Sequence, residues 1–190
     1  MTTYAPPPPF NQAAEPFAGQ RGLADPMNEL QIVYPSEKYF QSFHAALGIV
    51  AKERVYLEMI EAPPLEKLIA FQTGLIGKNG SVYFALDGER VVGWCDIFPL
   101  ENPRHNHRGG LGMGIIPELR GRGIGSRLLS ATLDHAKKFG LEKVELNVYT
   151  SNIPAVALYK KFGFKEEGLI KNYRKLDGRY FDCLSMAKFL

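Results

Sequence analysis

The feature that most limits how this chain can fold is a twenty-residue stretch from Gly110 to Leu129. An apolar, glycine-spaced run (Gly110-Leu111-Gly112-Met113-Gly114-Ile115-Ile116) enters the turn Arg120-Gly121-Arg122-Gly123-Ile124-Gly125-Ser126 and passes at once into a helical pattern. Leu129, Leu133 and Ala136 recur on one helical face, with Leu128 beside it, until Gly140 ends the run. A strand therefore delivers the chain to a loop of free backbone N–H groups at a helix N-terminus. Amides without intrahelical partners and the positive end of the macrodipole make that place an anion site, suited to phosphate. Glycines at 121, 123 and 125 admit positive φ and close approach of a ligand, and Arg120 and Arg122 add charge.

Two common phosphate loops do not fit. A Walker A loop needs Lys and then Ser or Thr directly after its glycines, and residues 121–126 lack the Lys. A Rossmann loop spaces its glycines as G-x-G-x-x-G in an early βαβ unit, whereas Gly121, Gly123 and Gly125 alternate.

At 190 residues the chain has the length of one domain with a core of its own. Its 45% hydrophobic and 23% charged residues are ordinary for a globular protein, and no apolar stretch approaches the ~20 residues that span a bilayer. The formal charge of +3 is spread without a basic block, which argues against nucleic acid and leaves a surplus that suits an anionic cofactor. There is no secretory pattern at the N-terminus, and two cysteines, Cys95 and Cys183, make no disulfide framework, so a reducing cytoplasm is expected. Both thiols read as buried small hydrophobes rather than nucleophiles.

Residues 1–28 read as a Pro-rich tail, with polyproline at Pro6–Pro9 and no period of 2 or 3.6; Met27 is an alternative start. A single domain is expected over 29–190. Leu30, Ile32 and Tyr34 alternate as a strand. Ser36 is the expected N-cap of a helix carrying Phe40, Phe43, Leu47 and Val50, and a second helix carries Leu65, Leu68, Ile69 and Gln72. Residues 81–86 and 90–98 read as a hairpin about the turn Asp87-Gly88. Along its second strand Asp96 shares a face with Val92, Trp94 and Phe98. Burial there would raise its pKa toward the range of a general base, or it would simply hydrogen-bond a neighbouring strand. His105 and His107 have no third ligand at metal spacing, so no metal is expected and they read as loop histidines near an acceptor site. Residues 143–149 form the next strand, with Val144, Leu146 and Val148 on one face and Glu145, Asn147 and Tyr149 on the other. Thr150-Ser151-Asn152 caps a helix that carries Tyr159 and ends at Gly163, and a final hairpin turns at Asp177-Gly178.

In sum, Arg120-Gly121-Arg122-Gly123-Ile124-Gly125 resembles the Arg/Gln-x-x-Gly-x-Gly/Ala signature of the GCN5-related N-acetyltransferases (GNAT). The resemblance runs on through Asn152, Tyr159 and Phe162-Gly163-Phe164, and is strongest from Leu111 to Phe164. It implies an α/β (α+β) fold, a central, mixed, mostly antiparallel twisted sheet of about seven strands flanked by about four helices. It also implies an acetyl-CoA-dependent N-acetyltransferase that moves the acetyl group directly to a primary amine, with a small-molecule acceptor expected. A ribosomal-protein-like N-terminal acetyltransferase and a non-catalytic acyl-CoA sensor are the alternatives.

By the same resemblance, backbone around Met113, Gly114 and Ile115 holds the pantetheine and polarises the thioester, residues Arg120, Gly121, Arg122, Gly123, Ile124, Gly125 and Ser126 bind the pyrophosphate, and Asn152 contacts the pantetheine. Tyr159 is the acid for the leaving thiolate, against the plainer reading of a core aromatic. Some relatives that acetylate protein N-termini hold a Glu where this chain has Asn147, which cannot take a proton; Glu145, Asp96 or an ordered water stands as the base. Tyr56, Glu58 and Glu61 lie in the segment that lines the acceptor side in the family, or form a solvated loop. The expected partners are acetyl-CoA and the amine, without metal, nucleic acid or membrane, and a homodimer is left open.

Overall fold

The computed structural model describes residues 30–190; the tail read over 1–28 lies outside the described residues, as does Glu29. The strands are β1 (Leu30–Val33), β2 (Ser81–Asp87), β3 (Arg90–Pro99), β4 (Arg108–Ile115), β5 (Lys143–Tyr149), β6 (Lys165–Leu176) and β7 (Arg179–Phe189). They form one seven-stranded sheet in the order β1-β2-β3-β4-β5-β7-β6. Only the central pair β4–β5 is parallel. Four helices flank it: α1 (Phe40–Lys52) and α2 (Leu65–Gly77) between β1 and β2, α3 (Ile124–Phe139) after β4, and α4 (Ile153–Lys161) after β5. The mixed, mostly antiparallel architecture is the one the resemblance implied.

Period-2 alternation in β3 decides which helix covers which face. Trp94 meets Phe43 of α1 with ring centroids 5.4 Å apart, and Phe98 meets Phe71 of α2 at 6.3 Å. On the opposite face Gly93 lets Leu128 of α3 come close, and Thr132 of the same helix is buried against the sheet. α3 is the most amphipathic segment of the chain, burying Leu128, Leu129, Leu133 and Ala136 as the sequence periodicity predicts, and Gly140 ends it in the left-handed region at φ 93°.

Two local expectations are corrected. Ser36 makes no side-chain cap; it precedes a 3-10 turn at Glu37–Tyr39, and α1 starts only at Phe40. The first hairpin turns at Gly88-Glu89, because Asp87 pairs with Arg90 and belongs to the strands. Gly88 alone takes positive φ there, so the turn needs its glycine at the first central position. The second hairpin does turn at Asp177-Gly178, both with positive φ.

The glycines of β4 have a reason that the strand alone does not reveal. Gly110, Gly112 and Gly114 stand opposite Phe98, Asp96 and Trp94 of β3. A methyl group at Gly110 would lie 2.6 Å from the Phe98 ring, one at Gly112 2.7 Å from the Asp96 carboxylate, and one at Gly114 inside the Trp94 indole. The close approach is thus made by three side chains of the neighbouring strand. Gly114→Ala is expected to destabilise the fold by about 1–3 kcal/mol, since a buried indole cannot yield without disturbing Phe43. A denaturant midpoint equal to that of the parent would contradict this packing.

Where β4 and β5 part, the site is made. Their pairing covers only Arg108–Gly110 of β4, after which β5 continues against β7 alone. Ile116 N–H donates to the Val92 carbonyl and the Arg108 carbonyl accepts from Leu100 N–H, so even-numbered residues of β4 point their backbone groups at β3. Met113 and Ile115, beyond the last residues paired with β5, therefore turn theirs the other way, into the gap, where no strand answers them.

Candidate active site

The gap opens into a cleft of about 1080 Å³, walled by β4 and β5, the start of α3, α4, the loop after α1, and Ile170 and Ser185 of the β6–β7 hairpin. Of the residues expected at a cofactor, Met113, Gly114, Ile115, Arg120, Gly121, Gly123, Gly125, Ser126, Asn152 and Tyr159 all line it. Gly121 and Gly123 have φ of 75° and 77°, and nothing stands near either, so it is backbone conformation rather than space that demands glycine. Gly123 is the N-cap of α3, and its carbonyl already accepts from Ser126 and Arg127. The amides just ahead remain free to face an anion.

Three positions differ from the sequence expectation. Arg122 is exposed and does not line the cleft, and Ile124 is buried in the core, so only its backbone can serve a ligand there. Arg120 lines the cleft but its charge is engaged. It pairs bidentately with Glu53 at the end of α1, donates to the Ile115 carbonyl at 2.8 Å and stacks 4.7 Å from the Tyr56 ring centroid. It is a strut that ties the loop after α1 to the end of β4. Nothing near Arg120 in sequence signals this, because Glu53 lies 67 residues away.

Tyr159 is 6% exposed, packs against Phe164, and lines the cleft. Burial, with a smaller contribution from Cys95, pushes its phenol well above the ordinary tyrosine value and holds it protonated. Among the described residues its hydroxyl has no hydrogen-bond partner, so its proton is available to whatever fills the cleft. Asn152 does cap α4, accepting from Ala155 N–H at 3.3 Å.

The carboxylates divide. Glu145 lines the cleft and is held by Arg108 at 2.8 Å and Lys143 at 3.3 Å. Asp96, by contrast, is not among the lining residues: at 7% exposure it lies behind β4, over Gly112 and beside Gln72 of α2. Burial pushes its carboxyl up to about 7, against the opposing pull of Gln72 and the Gly112 backbone. A value raised on folding means that the native state keeps a proton that the unfolded chain has already released. Stability is therefore fullest below about pH 4 and falls as pH rises to about 7, by on the order of 4 kcal/mol from this group. Asp96→Asn is expected to remove that decline, read as the difference between the two denaturation curves across pH 4–8; parallel curves would contradict it.

Of the residues expected on the acceptor side, Tyr56 and Glu58 line the cleft with Leu57 and Met59, whereas Glu61, His105 and His107 do not. What the sequence reading missed is the clasp between this loop and the last hairpin. Residues 171–173 of β6 bulge against Asp182 of β7, whose carboxylate accepts from Asn172 N–H at 2.8 Å. The bulge re-aims Tyr173, whose hydroxyl donates to Glu58, and Arg54 pairs with Asp177 at 2.7 Å. No helix among the described residues is long and apolar enough to cross a membrane.

Comparison with known proteins bears on the family and the fold. Residues 38–164 match the Acetyltransferase (GNAT) family. The L-amino acid N-acetyltransferase AaaT of Escherichia coli is 29% identical over 152 residues, 78% of this chain and 92% of that one. The N-alpha-acetyltransferase RimI of Mycobacterium tuberculosis is 35% identical over 115 residues, 57% of this chain and 67% of its own. A GNAT superfamily phosphinothricin acetyltransferase from Sinorhizobium meliloti, solved in complex with AcCoA, has the same fold: TM-score 0.79 at 20% identity, covering 85% of this chain and 89% of that one.

Proposed function

The chain belongs to the GNAT family of acetyltransferases, and from that premise we propose that it transfers the acetyl group of acetyl-CoA directly to the primary amine of a small molecule. The observation that carries the reading is the continuity of one cleft from the unanswered edge of β4, through the free amides at Gly121–Gly125, to the Tyr159 hydroxyl. Pantetheine adds to the β4 edge as a peptide would, its pyrophosphate rests on the amides before α3, and no metal is required.

The amine nitrogen, once neutral, attacks the thioester carbonyl while backbone N–H groups of β4 hold the developing oxyanion. The C–S bond breaks and Tyr159 gives its proton to the sulfur; the amide and the free CoA thiol leave, and of the two protons that the ammonium loses one passes to solvent and the other restores the Tyr159 hydroxyl. Glu58 and Glu145 are the carboxylates lining the cleft, and they attract the ammonium and relay to solvent the proton that frees its lone pair. Asn147 cannot, and the burial of Asp96 away from the cleft fits a structural role.

A small acceptor is favoured over a protein N-terminus by the clasp of Glu58 on Tyr173 and Arg54 on Asp177, which ties the loop after α1 to the last hairpin beside the cleft. Calorimetric titration with acetyl-CoA, followed by thiol release with amines, amino acids and N-terminal peptides, tests the proposal. Micromolar binding with turnover of a small amine is expected; turnover of peptides alone would overturn the acceptor class, and absence of binding the whole reading.

A further inference from the structure

Along β3, Trp94, Asp96 and Phe98 share the face that α1 and α2 cover, and the cover runs out at the last of them. Trp94 and Asp96 are buried, whereas Phe98 is 39% exposed and its partner Phe71 of α2 is 50% exposed. The Phe98 ring lies over Gly110, where an added methyl would come within 2.6 Å of it, and it lines the cleft. Gly110 and Glu145 are the last pair of β4 with β5, so this is the closed end of the gap, away from the amides before α3. Leu111 and, from the loop after α1, Leu57 and Met59 add further apolar surface to the same cleft. Apolar side chains left open at the wall of a cleft mark a ligand surface.

The charges of the cleft point the same way. Three charged side chains line it: Glu58, Arg120 and Glu145. Arg120 is engaged by Glu53, and Glu145 is answered by Arg108 and Lys143. Glu58 accepts the Tyr173 hydroxyl and makes no ion pair among the described residues. Arg174, on the last hairpin, is not among the lining residues; it donates to the carbonyls of Arg54 and Glu58 and stacks on Tyr149. The cleft therefore offers a ligand one unbalanced charge, and that charge is negative. An ammonium is welcome beside it, while a carboxylate would lose its hydration without meeting a cation.

We propose that the acceptor is a primary amine with an apolar body and no carboxylate, its nitrogen drawn toward Glu58 and its body packed on the Phe98 ring. The inference rests on the acetyl-transfer reading and narrows its small acceptor. With the pyrophosphate at the start of α3 and the pantetheine along β4, the thioester points toward the closed end of the gap, where Phe98 stands. Phe98 is then a specificity-determining residue, and Phe71, outside the cleft, supports its ring without touching the substrate.

The test measures thiol release with 2-phenylethylamine, with ethanolamine, which lacks the apolar body, and with phenylalanine, which adds a carboxylate to it, alongside calorimetry with acetyl-CoA. The parent protein is expected to favour 2-phenylethylamine over ethanolamine by about 30-fold in kcat/KM and over phenylalanine by about tenfold or more. Phe98→Ala should reduce the first ratio by about tenfold, Phe98→Leu should keep part of it, and Phe71→Ala should leave it within about twofold. Acetyl-CoA affinity should not change in any of them. Phenylalanine or ethanolamine used as well as 2-phenylethylamine would overturn the acceptor class and leave acetyl transfer standing. Equal loss of the ratio in Phe71→Ala and Phe98→Ala, or variants that slow every amine alike, would overturn the contact with Phe98. Absence of acetyl-CoA binding would overturn acetyl transfer itself and the acceptor class with it.

Discussion

Replacing Gly123 with Asp is expected to weaken acetyl-CoA binding by about 100-fold or more, the largest effect on affinity that a single change in the cleft should produce. The new carboxylate would stand at the N-cap of α3, among the free amides where the pyrophosphate is proposed to rest, and like charges in that place oppose binding as strongly as the helix terminus favours it. Backbone strain has to be separated from charge, because φ at this position is 77°. Gly123→Ala provides the control. Ala suffers more than Asp in the left-handed region, at about 1–2 kcal/mol, but brings no charge. Titration of all three proteins with acetyl-CoA reads the effect: Asp should fall well below Ala. Equal loss in both variants would mean that the loop binds by shape alone, and equal affinity in all three that the pyrophosphate lies elsewhere.

The second large effect falls on turnover. Tyr159→Phe is expected to lower kcat by about 10²–10³-fold while leaving the affinity for acetyl-CoA near that of the parent, which is the signature of a group that acts only in the transition state. Phe keeps the ring that packs on Phe164, so the fold should persist, as a denaturation curve would verify. The pH profile sharpens the test. Because burial raises the phenol above its ordinary value, the protonated, competent form persists through the range in which a free tyrosine would ionise. No alkaline fall in kcat from this group is therefore expected below about pH 10. A variant with full kcat would assign the thiolate proton to solvent.

Both predictions concern residues found by local pattern. The strand, glycine turn and helix from Gly110 to Gly140 could be read directly, because periods of 2 and 3.6 and a demand for positive φ are properties of consecutive residues. The same holds for the Asn152 cap and the Asp177-Gly178 turn. Where local signals failed, a competing local solution had won. Asp-Gly is a strong turn signal and predicts a turn at Asp87-Gly88, yet one more strand pair, Asp87 with Arg90, moves the turn on by a residue. Ser36 had the chemistry of a cap, but a 3-10 turn intervened before α1.

The acceptor side was scarcely legible. Asp96 and Glu145 are both acids on strands, and only the packed sheet separates them: Asp96 is roofed by α2 behind β4, while Glu145 faces the cleft where β4 and β5 part. Arg120 sits in the glycine signature and would pass for a phosphate ligand until Glu53 is found beside it.

The sequence by itself determined the strand, glycine turn and helix from Gly110 to Gly140, since these follow from backbone geometry and side-chain periodicity within short segments, and through the family resemblance carried by those segments the fold class; the turn and Tyr159 line one cleft. Tertiary structure alone decided the rest: which polar and charged groups are spent on one another, as Arg120 is on Glu53 across 67 residues and Tyr173 on Glu58 across 115, and which carboxylates reach the cleft, as Glu58 and Glu145 do and Asp96 does not. Whether a charge is free is a matter of distances of a few ångströms between remote segments, and no spacing along the chain encodes those distances.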